Sequence, residues 1–253
     1  MNVQERSNWT NKNIDHLKNV VITEYDLASG GLSVIKENKL LSPKYIAELD
    51  GMEKEKKNIV IGKLQAKIPD LAKNMVIGFG KARQAFVDLN AIPDENILSI
   101  KKDAIFLVNC YNVVGQVSEN LLFRAKNTYS SYIRLNNKEI YFSAITKDID
   151  VKGLSDEAYS LQKDFILKDI SRFLSMSEKI SEEQLYLNLK KYRSDYLNRN
   201  LPIETYRQLD TGIFVVGNFE MKTVDDSYID QIDISFNYQH YILPLIKILL
   251  KGE

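Results

Sequence analysis

An α+β fold is predicted for this chain of 253 residues, on three observations. Short apolar runs of strand length stand at residues 20–22 and 96–109, and alternating stretches recur in FRAKNTYSSYIRLNNKEIYFSAI. Between the first two runs, Ile59, Ile61, Leu64, Ile68, Leu71, Met75, Phe79, Ala82 and Phe86 keep helical spacing, broken at Pro69. After Gly153 the composition turns mostly helical, which makes that glycine the best internal boundary.

Composition limits the function classes. With 44% hydrophobic residues the chain can bury a core. Lys+Arg and Asp+Glu both number 34, so no global charge field draws it to nucleic acid or membrane; a local basic groove remains compatible with neutrality. The single cysteine, Cys110, excludes an intrachain disulfide and suits a reducing compartment. Set in an apolar run, it is expected to be a buried inert thiol. The first thirteen residues are polar, and the longest apolar run, YILPLIKILL, is too short to span a bilayer. The expectation is a cytoplasmic protein with no membrane partner.

The elements follow in order. Residues 1–19 read as an arm or short helix. The stretch VVITEYDLASGGLSVI (20–35) enters as a buried strand, passes Asp26 and a Ser-Gly-Gly turn, and continues as a helix from Leu32 towards Leu41. Ser42 and Pro43 stand as N-cap and first residue of the next helix, which stops near Gly51. Two helices are expected over about 53–67 and 69–90 by their spacing. They carry eight basic residues against three acidic ones before Asp88. A solvated helix face accounts for such charges as readily as a ligand does. The run NILSIKKDAIFLVN is a second apolar strand interrupted at Lys101-Lys102-Asp103. A hairpin turn is expected at Asn136-Asn137 and a strand ending at Gly153. Ser155 should cap a long helical region split near 177–181 and ended by Pro202. GIFVVGNFEMKTV and IDISFNY read as strands before a C-terminal apolar helix.

Asp26 and Asp103 are the candidate catalytic and metal-ligating residues. Two carboxylates on adjacent strands can bridge Mg2+ or Mn2+, hard ions that take oxygen ligands, and such ions clamp a triphosphate and activate a hydroxyl. Rigid strands matter because small misplacements are costly in rate. An Asp at a strand end is also a common turn former. His16 and His240 are the only histidines, leaving little room for His-based metal sites or a Ser-His-Asp triad. GFGKAR lacks the spacing of a phosphate loop and reads as a closely packed helix. The acidic cluster at Asp225, Asp226, Asp230 and Asp233 reads as a solvated loop. Most of the 14 tyrosines sit at strand or helix spacing, which core and interface packing explains better than base stacking.

The order of these parts resembles the palm of family A nucleic-acid polymerases. YDLASGGLSVI stands where that family has D-Y-S-x-I-E-L-R, with Asp26 at the metal-binding Asp. LSIKKDAIFLV stands where it has a β-hairpin of the form apolar-x-apolar-H-D-E-apolar, with Asp103 at the Asp. The resemblance implies a polymerase-like palm sheet with covering helices over 1–153 and minimal basic-helix fingers at 53–90. It implies a thumb-like helical region with C-terminal strands and helix over 154–253. It also implies a small Mg2+-dependent nucleotidyltransferase or polymerase-like protein of phage or mobile-element type, with nucleic acid and nucleotides as partners. Lys63, Lys73, Lys81, Arg83 and Lys102 would then face the incoming triphosphate. The chain departs from the family at Lys102 and Ala104, which flank Asp103 in place of His and Glu, and the first motif lacks its Glu. These departures keep open a non-catalytic palm-derived protein that binds nucleic acid or a host protein.

Overall fold

The computed structural model describes residues 2–250 and is mixed α+β with antiparallel sheets. Contacts divide the chain into two units, one of residues up to Lys12 with Val21–Thr128, the other of Asn13–Val20 with Tyr129 onward. Gly153 lies inside the second unit.

Where an arm or helix was expected, the chain opens with two short strands, β1 (Asn8–Thr10) and β2 (His16–Leu17). β3 (Ile22–Leu27) follows, then α1 (Gly30–Glu37), α2 (Pro43–Asp50), α3 (Lys54–Lys67) and α4 (Leu71–Leu89). Ser42 precedes α2 in extended conformation, but its side chain makes no capping bond. A hairpin, β4 (Ile97–Lys101) and β5 (Ala104–Val108), and then β6 (Phe123–Tyr129) complete the first unit's sheet, ordered β1-β4-β5-β3-β6. Asp103 is therefore not within a strand. It occupies the two-residue turn with Lys102, whose φ of 51° is left-handed. Cys110 lies just past the end of β5, half-buried, and burial raises its thiol pKa.

Strand alternation divides the first sheet's faces. Tyr25 and Leu27 of β3 join Ile105, Leu107 and Phe123 in one core with Phe86 and Met75 of α4. The Tyr25 and Phe86 rings lie 5.4 Å apart, and Phe86 stacks on Phe123 at 4.4 Å. Glu24 and Asp26 alternate with these residues and so project from the opposite face.

The Gly-Phe-Gly of α4 is the close-packed helix its composition suggests. A Cβ on Gly78 would overlap Val34 of α1, and one on Gly80 would overlap the Gln4 carbonyl oxygen. Gly80→Ala is expected to destabilise by about 1–3 kcal/mol, since overpacking outweighs the gain of about 1 kcal/mol in helix propensity. A urea midpoint at or above that of the wild type would show that the N-terminal segment yields freely.

In the second unit, β7 (Ser131–Leu135) and β8 (Lys138–Phe142) form the hairpin expected at Asn136-Asn137, and β9 (Ile149–Lys152) extends the sheet to β2-β7-β8-β9. α5 (Asp156–Gln162), α6 (Ile166–Ser177) and α7 (Glu182–Leu197) follow; Ser155 Oγ accepts from the Ala158 amide at 3.1 Å and caps α5. A hairpin, β10 (Phe214–Val216) and β11 (Phe219–Met221), stands apart as a two-stranded sheet. IDISFNY is not a strand: one isolated bridge, Val216 to Ile232, precedes α8 (Ser235–Asn237) and a π-helical stretch leading into α9 (Leu243–Leu249). Its aromatic and β-branched residues matched strand propensity, but from Ser235 the segment starts a helical run that buries Asn237 and, beyond the segment, Tyr241, Ile242, Leu245 and Leu249. Tyr132, Tyr141, Tyr196, Tyr206 and Tyr241 are buried, as packing predicts, whereas Tyr45, Tyr111, Tyr186 and Tyr228 are exposed. Among the described residues, no helix is long and apolar enough to cross a membrane.

Candidate functional site

The site is built where the last residues of β3 meet the β4–β5 hairpin. In the β3–β5 ladder Asp26 faces Ala104, one residue from Asp103, and the Leu27 amide donates to the Asp103 carbonyl at 3.2 Å. Asp26 and Asp103 thus lie side by side at the end of paired strands, both half-buried. Burial holds the Asp26 carboxyl above its ordinary range, and the negative charge of Asp103 raises it further. Lys126, on β6, and Lys54, at the start of α3, oppose that shift, while Glu24 adds to it.

The turn is held from below. Arg83 of α4 is 1% exposed; one guanidinium nitrogen donates to the Lys102 carbonyl and the other to the Arg6 carbonyl. Desolvation lowers its pKa to about 10, with Asp103 opposing, so it remains a cation at neutral pH. Gly30, at the start of α1, completes the cradle: a Cβ there would stand 2.8 Å from Asp103 Oδ2 and 3.1 Å from the Phe79 ring. Only a residue without a side chain leaves that carboxylate its position.

The expected phosphate ligands divide into two groups. Lys63, Lys73 and Lys81 are exposed on α3 and α4, make no ion pair among the described residues, and are free to meet an anion. Lys102 is exposed on the turn itself. Arg83 lies buried beneath the turn with its hydrogen bonds directed to backbone, and with Lys102 it lines a cavity of about 360 Å³. Three residues that sequence reasoning passed over belong to the site. Glu24 is 2% exposed and accepts from Asn127 Nδ2 at 2.7 Å, with Lys126 Nζ at 3.5 Å. Lys126 and Lys54 bring positive charge near Asp26. The signal for Glu24 was its two-residue spacing from Asp26, which puts both on one strand face; Lys54 was counted only among the basic residues of 53–90, and nothing marked Lys126.

The donor set suits a hard divalent cation. Two carboxylates crowded together, one with its pKa raised by burial and like charge, are relieved by a cation between them, and oxygen is the ligand Mg2+ takes. Asp26 and Asp103 would hold it. Among the described residues, no group of three or more His, Cys, Asp or Glu side chains is arranged to hold a metal. The remaining positions would fall to water and substrate oxygens, the usual condition of protein-bound Mg2+.

Without metal, ionised Asp26 costs stability. Its folded pKa lies above the unfolded value of 3.8, so protonation favours the folded state. Asp26→Asn should therefore melt above the wild type at neutral pH, and the difference should shrink as pH falls through the raised folded pKa, vanishing below 3.8. A difference that does not change with pH would place the Asp26 carboxylate outside this electrostatic pair.

The model of one protein family, described as bacteriophage PBS1 gene 130 protein, matches residues 1–251. No curated protein matches the chain.

Proposed function

The chain belongs to the bacteriophage PBS1 gene 130 protein family, and from that premise we propose that its first unit is a reduced polymerase-like palm that performs Mg2+-dependent nucleotidyl transfer. The observation that carries this function is the side-by-side position of Asp26, at the end of a sheet strand, and Asp103, in the turn of the neighbouring hairpin. A strand-borne carboxylate beside a hairpin-borne one is the arrangement the two motifs require. Support also comes from Lys54 and Lys126 near Asp26, which can offset the charge of a triphosphate. When bound, Mg2+ would polarise the phosphoryl group and lower the pKa of the attacking hydroxyl.

The chain's own residues supply the rest. Arg83 and Gly30 fix the turn, so that Asp103 meets its partner without reorganisation during reaction. Lys63, Lys73, Lys81 and Lys102 offer exposed ammonium groups for phosphate oxygens. The test is incorporation of labelled nucleotides by the purified chain with Mg2+ or Mn2+, with and without a primed template. Metal-dependent product is expected; none with either ion, on any template, would overturn catalysis.

A second reading, a non-catalytic palm-derived protein that binds nucleic acid or a host protein, is favoured by Ala104. That residue stands where the resemblance has a second acid, is 5% exposed, and lies directly opposite Asp26 in the ladder. Metal and nucleotide binding without product would select it.

A further inference from the structure

The second unit carries a groove that the carboxylate pair does not explain. It has a volume of about 490 Å³ and is bounded by α6 and the β8–β9 turn. Lys168 and Arg172 line it one helical turn apart, as do Ser171 and Ser175, and Lys147 lines it from the β8–β9 turn. Lys147 has a left-handed φ of 64°, and its amide donates to the Ser143 carbonyl at 2.8 Å, so its backbone is fixed in place.

The cations here exceed their partners. Arg172 is held by Asp169 at 3.0 Å. The carboxylate of Glu178 accepts from the hydroxyls of Ser130 and Ser131. Asp148 is exposed beside Lys147. None of Lys147, Lys168 and Lys179 makes an ion pair among the described residues. The ammonium groups of Lys147 and Lys179 approach each other closely enough to lower the pKa of Lys147, with Glu178 opposing. Serine hydroxyls on the same wall add neutral donors suited to phosphate oxygens.

We propose that this groove is a phosphate-binding site of the second unit, with Lys147, Lys168 and Arg172 supplying the charge, Ser171 and Ser175 the hydroxyl donors, and the backbone of a single nucleic-acid strand as the ligand. A backbone fits better than an isolated ion, because exposed cations spaced along a helix meet successive phosphates of a strand. The proposal shares with the function above the idea of a nucleic-acid partner but depends on none of the groups around Asp26.

The experiment uses the full chain, a fluorescein-labelled oligothymidylate and inorganic pyrophosphate, over a series of salt concentrations. The double substitution Lys147→Gln, Lys168→Gln should weaken oligonucleotide binding roughly tenfold and flatten the slope of log K against log salt by about 1.4, two contacts at about 0.7 each. Lys190→Gln, an equal charge change per site at an exposed position of α7, is the control and should leave both unchanged. Equal weakening of pyrophosphate and oligonucleotide would assign the groove to the phosphoryl group whatever carries it. Weakening of pyrophosphate alone would overturn the strand as ligand. Unchanged affinity and slope in the double variant would overturn the site; nucleotide incorporation by that same variant would then leave the function of the first unit standing.

Discussion

Asp26→Asn and Asp103→Asn should each reduce nucleotide incorporation by about a thousandfold while leaving the protein folded. Each removes one negative charge from the metal-binding pair yet nearly conserves shape. A metal acting as Lewis acid supplies several kcal/mol of transition-state stabilisation, and about 4 kcal/mol is a thousandfold in rate. Mg2+ should raise the melting temperature of the wild type by mass action on the folded state, and less in either variant. The two readouts separate the competing functions. Loss of the metal effect together with loss of product marks a catalytic pair. A metal effect that depends on both aspartates, with no product from the wild type, marks the non-catalytic descendant. No metal effect in any of the three proteins would make Asp26 an ordinary strand residue and Asp103 an ordinary turn residue.

Arg83 carries the largest stability effect. Its guanidinium is buried and divided between the carbonyls of Arg6 and Lys102. Arg83→Ala leaves both acceptors without their donor and opens a cavity, and losses of about 3–5 kcal/mol accompany such changes. For a chain of this size that is about a 10 °C fall in melting temperature. Arg83→Met fills most of the volume but offers no donor, and so isolates the hydrogen bonds from the cavity. Arg83→Lys retains the charge but lacks the planar fork that reaches two carbonyls at once, and it should fall between wild type and Arg83→Ala. Arg83→Met melting with the wild type would show that the fork contributes only its volume.

The placement of Arg83 shows where sequence reasoning stops. In α4 the apolar period identified the buried face at Met75, Phe79, Ala82 and Phe86, and these residues line the core or its edge. Arg83 follows Ala82 directly, and a cation among such neighbours reads as a solvated or ligand-binding group because buried arginine is rare. Its partners are backbone carbonyls 77 and 19 residues away, which no local pattern announces. The strand–turn–strand around Asp103 was legible because its alternation is local, and so was the neighbouring strand that ends near Asp26. Lys54 and Lys126 were not, because each looks like any surface lysine until the sheet brings it near a carboxylate. β2 escaped for a different reason. Two residues carry no periodicity, and His16-Leu17 becomes a strand only when Ile133 and Tyr132 are there to pair with it.

That last pairing bears on how the chain folds as it is synthesised. The first twenty residues supply an edge strand to each of the two larger sheets: β1 pairs with β4, and β2 pairs with β7. Both must wait for partners made far later, Ser99 to Lys101 for β1 and Tyr132 to Ile133 for β2. At roughly 5–20 residues per second of synthesis, β2 remains without its partner for about 6–24 seconds after it is made. The leading segment is polar, which suits a stretch that must remain in water while it waits. The same arrangement sets a rule for dissection. A fragment beginning at Tyr129 would lack β2 and leave the backbone groups of β7 unpaired along a sheet edge, a template for association with other chains. Adding back a peptide that spans Asn13–Val20 should restore that edge and suppress the association.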